Sequence, residues 1–220
     1  MSVREHSILV LSVQGKPREG LEDMEDGRPV VIRHGVTAIG LMTIDVTSAE
    51  DGGEHYEIGE WRAGGTEATT EAELIAGFWK MFERMKPRLV TFNGRSYAMP
   101  LLRYRSMAHA LSAPLYHAGD KSYGHRWSPW LHYDVMDRLC EHGASTMPSL
   151  ADVSLLLGLD KPETRPGASG AAARKLAVLH AGLTAHAYLA MSLLSGTASR
   201  ESVQAAREAI EKRASAITAS

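Results

Sequence analysis

The sequence predicts an α/β domain: a ribbon of mixed sheet flanked by helices, with a helical extension at its C-terminal end. Three observations predict it. Three strand-like runs, residues 7–14, 36–46 and 55–61, follow one another before any helical pattern begins. Helical and short strand patterns then alternate between residues 70 and 143, as they do where parallel strands are joined by crossover helices. From residue 149 onward only helical patterns remain.

Each element has its own signal. Residues 7–14 (SILVLSVQ) are continuously apolar at first, which suits a central strand buried on both faces. Residues 15–29 are polar, with Glu22, Asp23, Glu25 and Asp26 clustered, and read as a loop. Residues 36–46 (VTAIGLMTIDV) and 55–61 (HYEIGEW) are two further strands joined across Asp51-Gly52-Gly53, so the first three strands form an antiparallel meander. Thr70 and Glu73 make a capping-box pattern, Leu74, Phe78, Met81, Phe82 and Met85 keep helical spacing, and Pro87 ends that helix. Residues 89–92 are a buried strand running into Asn93-Gly94, and a helix started by Pro100 follows to about residue 111. Residues 112–130 are loop-like, residues 131–135 are a short strand, and a helix then runs to Gly143. Ser149 and Asp152 cap another helix closed by Gly158, residues 161–170 are a loop, and two helices occupy residues 171–195 and 199–217.

Length and composition narrow the class. A chain of 220 residues suits one domain, here residues 1–195, with an amphipathic helix over 196–220. The single Cys140 excludes an internal disulfide and a cysteine-rich metal site, and fits a cytoplasmic location. No apolar run approaching the ~20 residues of a membrane helix stands out, and residues 1–6 show no export signal, so no membrane is expected. The net charge of −2 conceals an asymmetry: residues 1–75 carry 15 acidic and 6 basic side chains, whereas residues 76–126 carry 9 basic and 2 acidic ones. A basic middle can meet phosphates, although a solvated helix face explains the same charges. No phosphate-loop or dinucleotide glycine pattern occurs, no Ser/His/Asp arrangement has local support, and no histidine pair has ligand spacing.

The stretch LVTFNGRSYAMPLL, residues 89–102, organises the rest. A strand that stops at Asn-Gly and turns straight into a helix leaves its carboxyl end open, which is where α/β sheets hold ligands. Asn93, Arg95, Ser96, Tyr97 and Ala98 lie in that mouth.

In this stretch, in HYDVMDRLCEHGA (residues 132–144) and in SLADVSLLLGL (149–159), the sequence resembles a bacterial family of predicted 3′–5′ exonucleases related to the exonuclease domain of family-B DNA polymerases. The resemblance extends over most of residues 7–195 and implies a ribonuclease-H-like fold. It also implies a two-metal nuclease mechanism using four carboxylates, which activate a water and stabilise the leaving oxygen. By the family's pattern two of them stand on the first strand, at Ser12 and Gln14; a third follows Tyr97, at Ala98; the fourth, matched through HAYLAMSLL, falls at Leu183. No Asp or Glu occurs from Arg165 through Arg200. Mg²⁺ and Mn²⁺ prefer hard anionic oxygens, and Ser, Gln, Ala and Leu supply no charge. The resemblance therefore implies a kept scaffold and a lost reaction, with no cofactor.

Two other readings stay open. His132, Asp134 and Asp137 in HYDVMD could form a relocated Mg²⁺ or Mn²⁺ site in a still active exonuclease; helix-start chemistry gives Asp134 or Asp137 a capping role instead. Asn93, Arg95, Tyr97, Arg103, Arg105, Lys121, Tyr123 and Arg126 interleave rings and cations as single-strand binders do, while the rings could equally pack the core edge. The expected partner is single-stranded nucleic acid or a protein. Val203, Ala206, Ile210 and Ile217 offer an apolar face by which the last helix could dock into a larger assembly.

Overall fold

Alternation along the first strand divides its apolar side chains between two faces. In β1 (Glu5–Pro17), Ile8 and Val10 are buried on one side and Leu9, Leu11 and Val13 on the other. The computed structural model describes residues 5–21, 24–25, 28–48, 53–118, 122–126, 128–162 and 167–219. After β1 come the two-residue strands β2 (Met24–Glu25) and β3 (Arg28–Pro29), which pair with each other. β4 (His34–Ser48) and β5 (Glu54–Ala63) complete the meander. Residues 49–52, and with them most of the expected turn, lie outside the described residues.

Helix α1 (Glu71–Met85) begins at the Thr70/Glu73 capping box, and β6 (Arg88–Thr91) follows it. Then come α2 (Met99–Ala108), α3 (Pro114–His117), β7 (His132–Asp134) and α4 (Val135–Leu139). The chain ends with α5 (Leu150–Leu156), capped by Ser149 and Asp152, then α6 (Gly170–Leu194) and α7 (Arg200–Ala219). The main sheet has the order β5-β4-β1-β6-β7. Its first three strands are antiparallel, and β6 and β7 run parallel to β1. This is the mixed α/β sheet that the element order predicts.

Ile75, Phe78, Trp79 and Phe82 of α1, with Leu101 and Leu102 of α2, cover the face of Leu9 and Leu11. Ala181, Ala185, Tyr188 and Leu189 of α6 cover the face of Ile8 and Val10. Gly40 of β4 permits the close approach of α6, because a Cβ there would lie 2.1 Å from the Ala177 carbonyl oxygen. Contrary to the sequence reading, α6 does have the length and apolar content of a membrane span, but 67% of its most apolar window is buried within the fold.

Three further expectations are corrected. Val203, Ala206 and Ile210 of α7 are buried in the same core as α6, so the face read as a docking surface is largely consumed inside the chain. The helix expected to reach Gly143 stops at Leu139, and Glu141 and His142 adopt φ of 48° and 58°, which breaks helical continuity. The loop expected over residues 112–130 contains α3, which Pro114 opens.

Glu71 ties α1 to the sheet and to α2. Its carboxylate accepts from the Val36 backbone N–H at 2.6 Å and from Arg105 Nε and Nη2 at 2.9 and 2.6 Å, and His109 Nε2 lies 2.8 Å from it. Burial alone would raise its pKa; the bonds from Arg105, His109 and Val36 outweigh burial and hold it at about 2. A depressed carboxylate pKa stabilises the fold above the unfolded value and loses that contribution as pH falls toward the folded one. Between about pH 4.5 and 2 the chain should lose about 1–2 kcal/mol from this group, after allowance for solvent screening. Chemical denaturation across that range should show a shallower pH dependence in Glu71→Gln than in the parent.

Candidate functional site

The parallel strands β6 and β7 finish level, and β1 runs on past them to Pro17. Leu11 pairs with Thr91, and Thr91 pairs with Asp134, so one row of residues marks the floor of the mouth. Beyond Thr91, Asn93 turns the chain in the left-handed region (φ 58°), which Asn tolerates better than most residues. Gly94–Ala98 then forms one π-helical turn leading into α2. Asp134, 3% exposed, fixes this turn: its carboxylate accepts from the Asn93 N–H at 2.9 Å and the Arg95 N–H at 2.7 Å. Burial pushes the Asp134 pKa up even against these stabilising bonds.

The β1 residues at the mouth are Ser12 and Gln14, opposite Gly40 and Ala38 of β4. Gln14 Nε2 donates to Ser12 Oγ at 3.3 Å and lies 3.4 Å from Nδ1 of His180 on α6. The α6 side chain meeting the β1 pair is thus His180. Leu183, one turn further on, lines a cleft of about 800 Å³ together with Leu159, Leu179, Ile210 and His180 itself. Ala98 is buried in the α1/α2 core beside Met99 and Leu101. Neither Leu183 nor His180 carries a carboxylate, so the register of α6 does not alter the chemistry. A neutral hydroxyl, an amide, a methyl and either a leucine or an imidazole do not fit a pair of hard dications. Nothing in the sequence singled out His180, because its role depends on how α6 is rotated over β1.

The relocated triad is held by other partners. His132 is buried between Thr91 Oγ1, 2.8 Å from Nε2, and the Tyr116 hydroxyl, 3.0 Å from Nδ1. Burial, reinforced by the Arg95 charge, drives its pKa well below the usual histidine range, so the ring is neutral with both nitrogens engaged. Asp134 anchors the turn. Asp137 accepts from Arg126 Nη2 at 2.6 Å and contacts His142 Nδ1 at 2.8 Å. Burial opposes ionisation of Asp137, but Arg126 and His142 prevail and lower its pKa. No cluster of three His, Cys, Asp or Glu side chains able to hold a metal occurs among the described residues. Asp134 stands at the N-cap position of α4 with Asp137 in its first turn, as helix-start chemistry leads one to expect, while the Asp134 side chain is directed chiefly at the preceding turn.

The proposed strand-binding residues separate into groups. Tyr123 is 4% exposed with its hydroxyl donating to the Pro87 carbonyl, so its ring is no stacking platform. Arg105 is paired with Glu71. Tyr97 is half-buried, its hydroxyl 3.0 Å from His34 Nδ1. Lys121 lies outside the described residues. Arg95, Arg103 and Arg126 all line one pocket beside the mouth, and Asn93 forms the turn at its rim.

The sheet order and the open carboxyl edge of its parallel strands define an exonuclease-like domain on a ribonuclease-H-like frame. The chain belongs to the family described as predicted 3′–5′ exonucleases related to the exonuclease domain of PolB, whose sequence model matches residues 33–176. That match is narrower than the span 7–195, and of the four ligand positions only Ala98 falls inside it. Among solved structures the chain is similar to the family B DNA polymerase from the hyperthermophilic archaeon Pyrobaculum calidifontis, with 18% identity and a TM-score of 0.56. The similarity covers 86% of this chain and 24% of the polymerase, so the chain spans about a quarter of that protein, and the likeness is one of fold. No curated protein sequence matches the chain.

Proposed function

We propose that this chain is a catalytically inactive exonuclease-like domain whose remaining role is to bind single-stranded nucleic acid at the retained mouth. The observation that carries the reading is the Ser12–Gln14–His180 contact set, a polar group without a carboxylate where the family's chemistry needs carboxylates. Two Mg²⁺ ions about 4 Å apart repel strongly unless anionic ligands compensate them, and this group supplies none. Binding is favoured over loss of all function by Arg95, Arg103 and Arg126, which converge at the edge of the mouth.

The test has two arms. With Mg²⁺ or Mn²⁺, purified protein should cleave single-stranded DNA and RNA no faster than it does in EDTA. Metal-dependent cleavage that survives repurification would sink the inactive reading. In the binding arm, two to three phosphate contacts predict a log–log salt slope of about −1.4 to −2.1 for single strands, a loss of roughly tenfold between 50 and 200 mM salt. Absence of strand binding at low salt would shift the role to a protein partner.

A further inference from the structure

Beside the mouth lies a pocket of about 300 Å³, walled by the π-helical turn, the first turns of α2, α3 and residues 124–126. Arg95, Arg103 and Arg126 line it together with Ser96, His117 and Asp137. Asp137 is the only carboxylate among the lining residues, and it is already engaged by Arg126 and His142. Arg95 Nη2 donates to the backbone carbonyls of His132 at 2.9 Å and His125 at 3.3 Å. Those neutral acceptors fix the guanidinium without cancelling its charge. Arg103 makes no ion pair among the described residues; its guanidinium lies 5.5 Å from the Tyr104 ring. Burial and the Arg103 charge both lower the His117 pKa, so this ring is neutral and adds no charge of its own.

Among the described residues that line the pocket, three guanidiniums stand against one carboxylate, an excess of two positive charges in a small concavity. Two of the three are already oriented by protein acceptors, which reduces the ordering cost of capturing an anion. Guanidinium forks match phosphate oxygens in geometry as well as in charge. A phosphate monoester carries close to two negative charges at neutral pH, whereas an internal phosphodiester carries one. The volume is at the lower limit of small-molecule pockets, enough for a phosphate with its sugar and too little for a stacked strand.

We propose that this pocket binds a phosphate monoester, with Arg95, Arg103 and Arg126 as its charge partners. The source is a free mononucleotide or the terminal phosphate of a nucleic-acid strand. The proposal does not depend on strand binding at the mouth, because a mononucleotide can occupy the pocket alone.

Calorimetric titration of the full chain at low salt with adenosine, adenosine 5′-monophosphate, and oligothymidylates ending in 5′-phosphate, 3′-phosphate or hydroxyl tests it. The phosphorylated member of at least one pair should bind at least tenfold more tightly than its unphosphorylated counterpart. Arg103→Glu should reduce that affinity at least tenfold, and Arg103→Lys should retain part of it. Arg103 is exposed and outside the core, so the thermal melt of either variant should coincide with the parent's. Binding of the mononucleotide identifies a free nucleotide as sufficient; binding of phosphorylated strands alone identifies the strand end. Equal affinity for phosphorylated and unphosphorylated ligands, no measurable binding of any phosphorylated ligand, or unchanged phosphate affinity in Arg103→Glu, overturns the proposal. Hydroxyl-ended strands that bind without phosphate preference would leave the strand-binding reading intact while removing this one.

Discussion

Gly40→Ala is expected to melt roughly 6–12 °C below the parent chain, a loss of about 3 kcal/mol. The new Cβ would sit 2.1 Å from the Ala177 carbonyl oxygen and 2.7 Å from the Val178 nitrogen. Both are backbone atoms of α6, so no rotamer change relieves the contact, and the helix must lift from the sheet. Lifting it breaks the 2.7 Å bond from Trp61 Nε1 to the Val178 carbonyl and separates His180 from Gln14. Gly182 repeats the constraint one turn later, since a Cβ there would meet the Trp61 ring at 2.5 Å. Gly77 supplies a control of opposite sign: it is exposed in the middle of α1 with no atom within 4 Å of an added Cβ. Gly77→Ala should stabilise the chain by about 0.5–1 kcal/mol through helix propensity alone. Thermal and denaturant melts of the two variants decide the matter. If Gly40→Ala melts with the parent, α6 does not rest on β4 as described.

The contrast between these glycines shows where the sequence was legible. Local chemistry was readable: Thr70 with Glu73 and Ser149 with Asp152 are capping boxes in the structure, and Pro100 stands in the first turn of α2. Apolar periodicity placed the five main strands and both long C-terminal helices to within a few residues. What it could not supply was orientation across elements. Gly40 looks like any strand glycine until α6 is laid over it. His180 looks like a surface histidine until the rotation of α6 aims it at Gln14. The rings and cations of residues 93–126 have the composition of a strand-binding face, yet Tyr123 is a core residue and Arg105 a brace for Glu71. Composition reports which side chains are available, and tertiary packing decides which of them still face solvent.

Asp134→Ala is expected to cost about 1–3 kcal/mol, because it leaves two part-buried backbone N–H groups, those of Asn93 and Arg95, without their acceptor. Asn93 is held at φ 58° in part by this carboxylate, so its loss should loosen the whole turn that carries Arg95 and Ala98. Asp134→Asn keeps one acceptor oxygen in the same volume but presents an amide donor to the second N–H, so an intermediate loss is expected. The pH dependence has a definite sign. Burial raises the folded pKa above the unfolded one, so the parent's stability carries a contribution that decreases as pH rises through the interval between them. Asp134→Asn should lack that decrease. The same residue also separates an anchor from a metal ligand. A ligand role would make the parent's melting temperature rise with Mn²⁺ by mass action and lose that rise in the variants. A structural anchor predicts the parent and both variants shift by the same amount, or not at all, when Mn²⁺ or EDTA is added. Melting curves over Mn²⁺ concentration, run beside hydrogen exchange at the Asn93 and Arg95 amides, distinguish the two. Exchange at those amides that is unchanged in Asp134→Ala would refute the anchoring role.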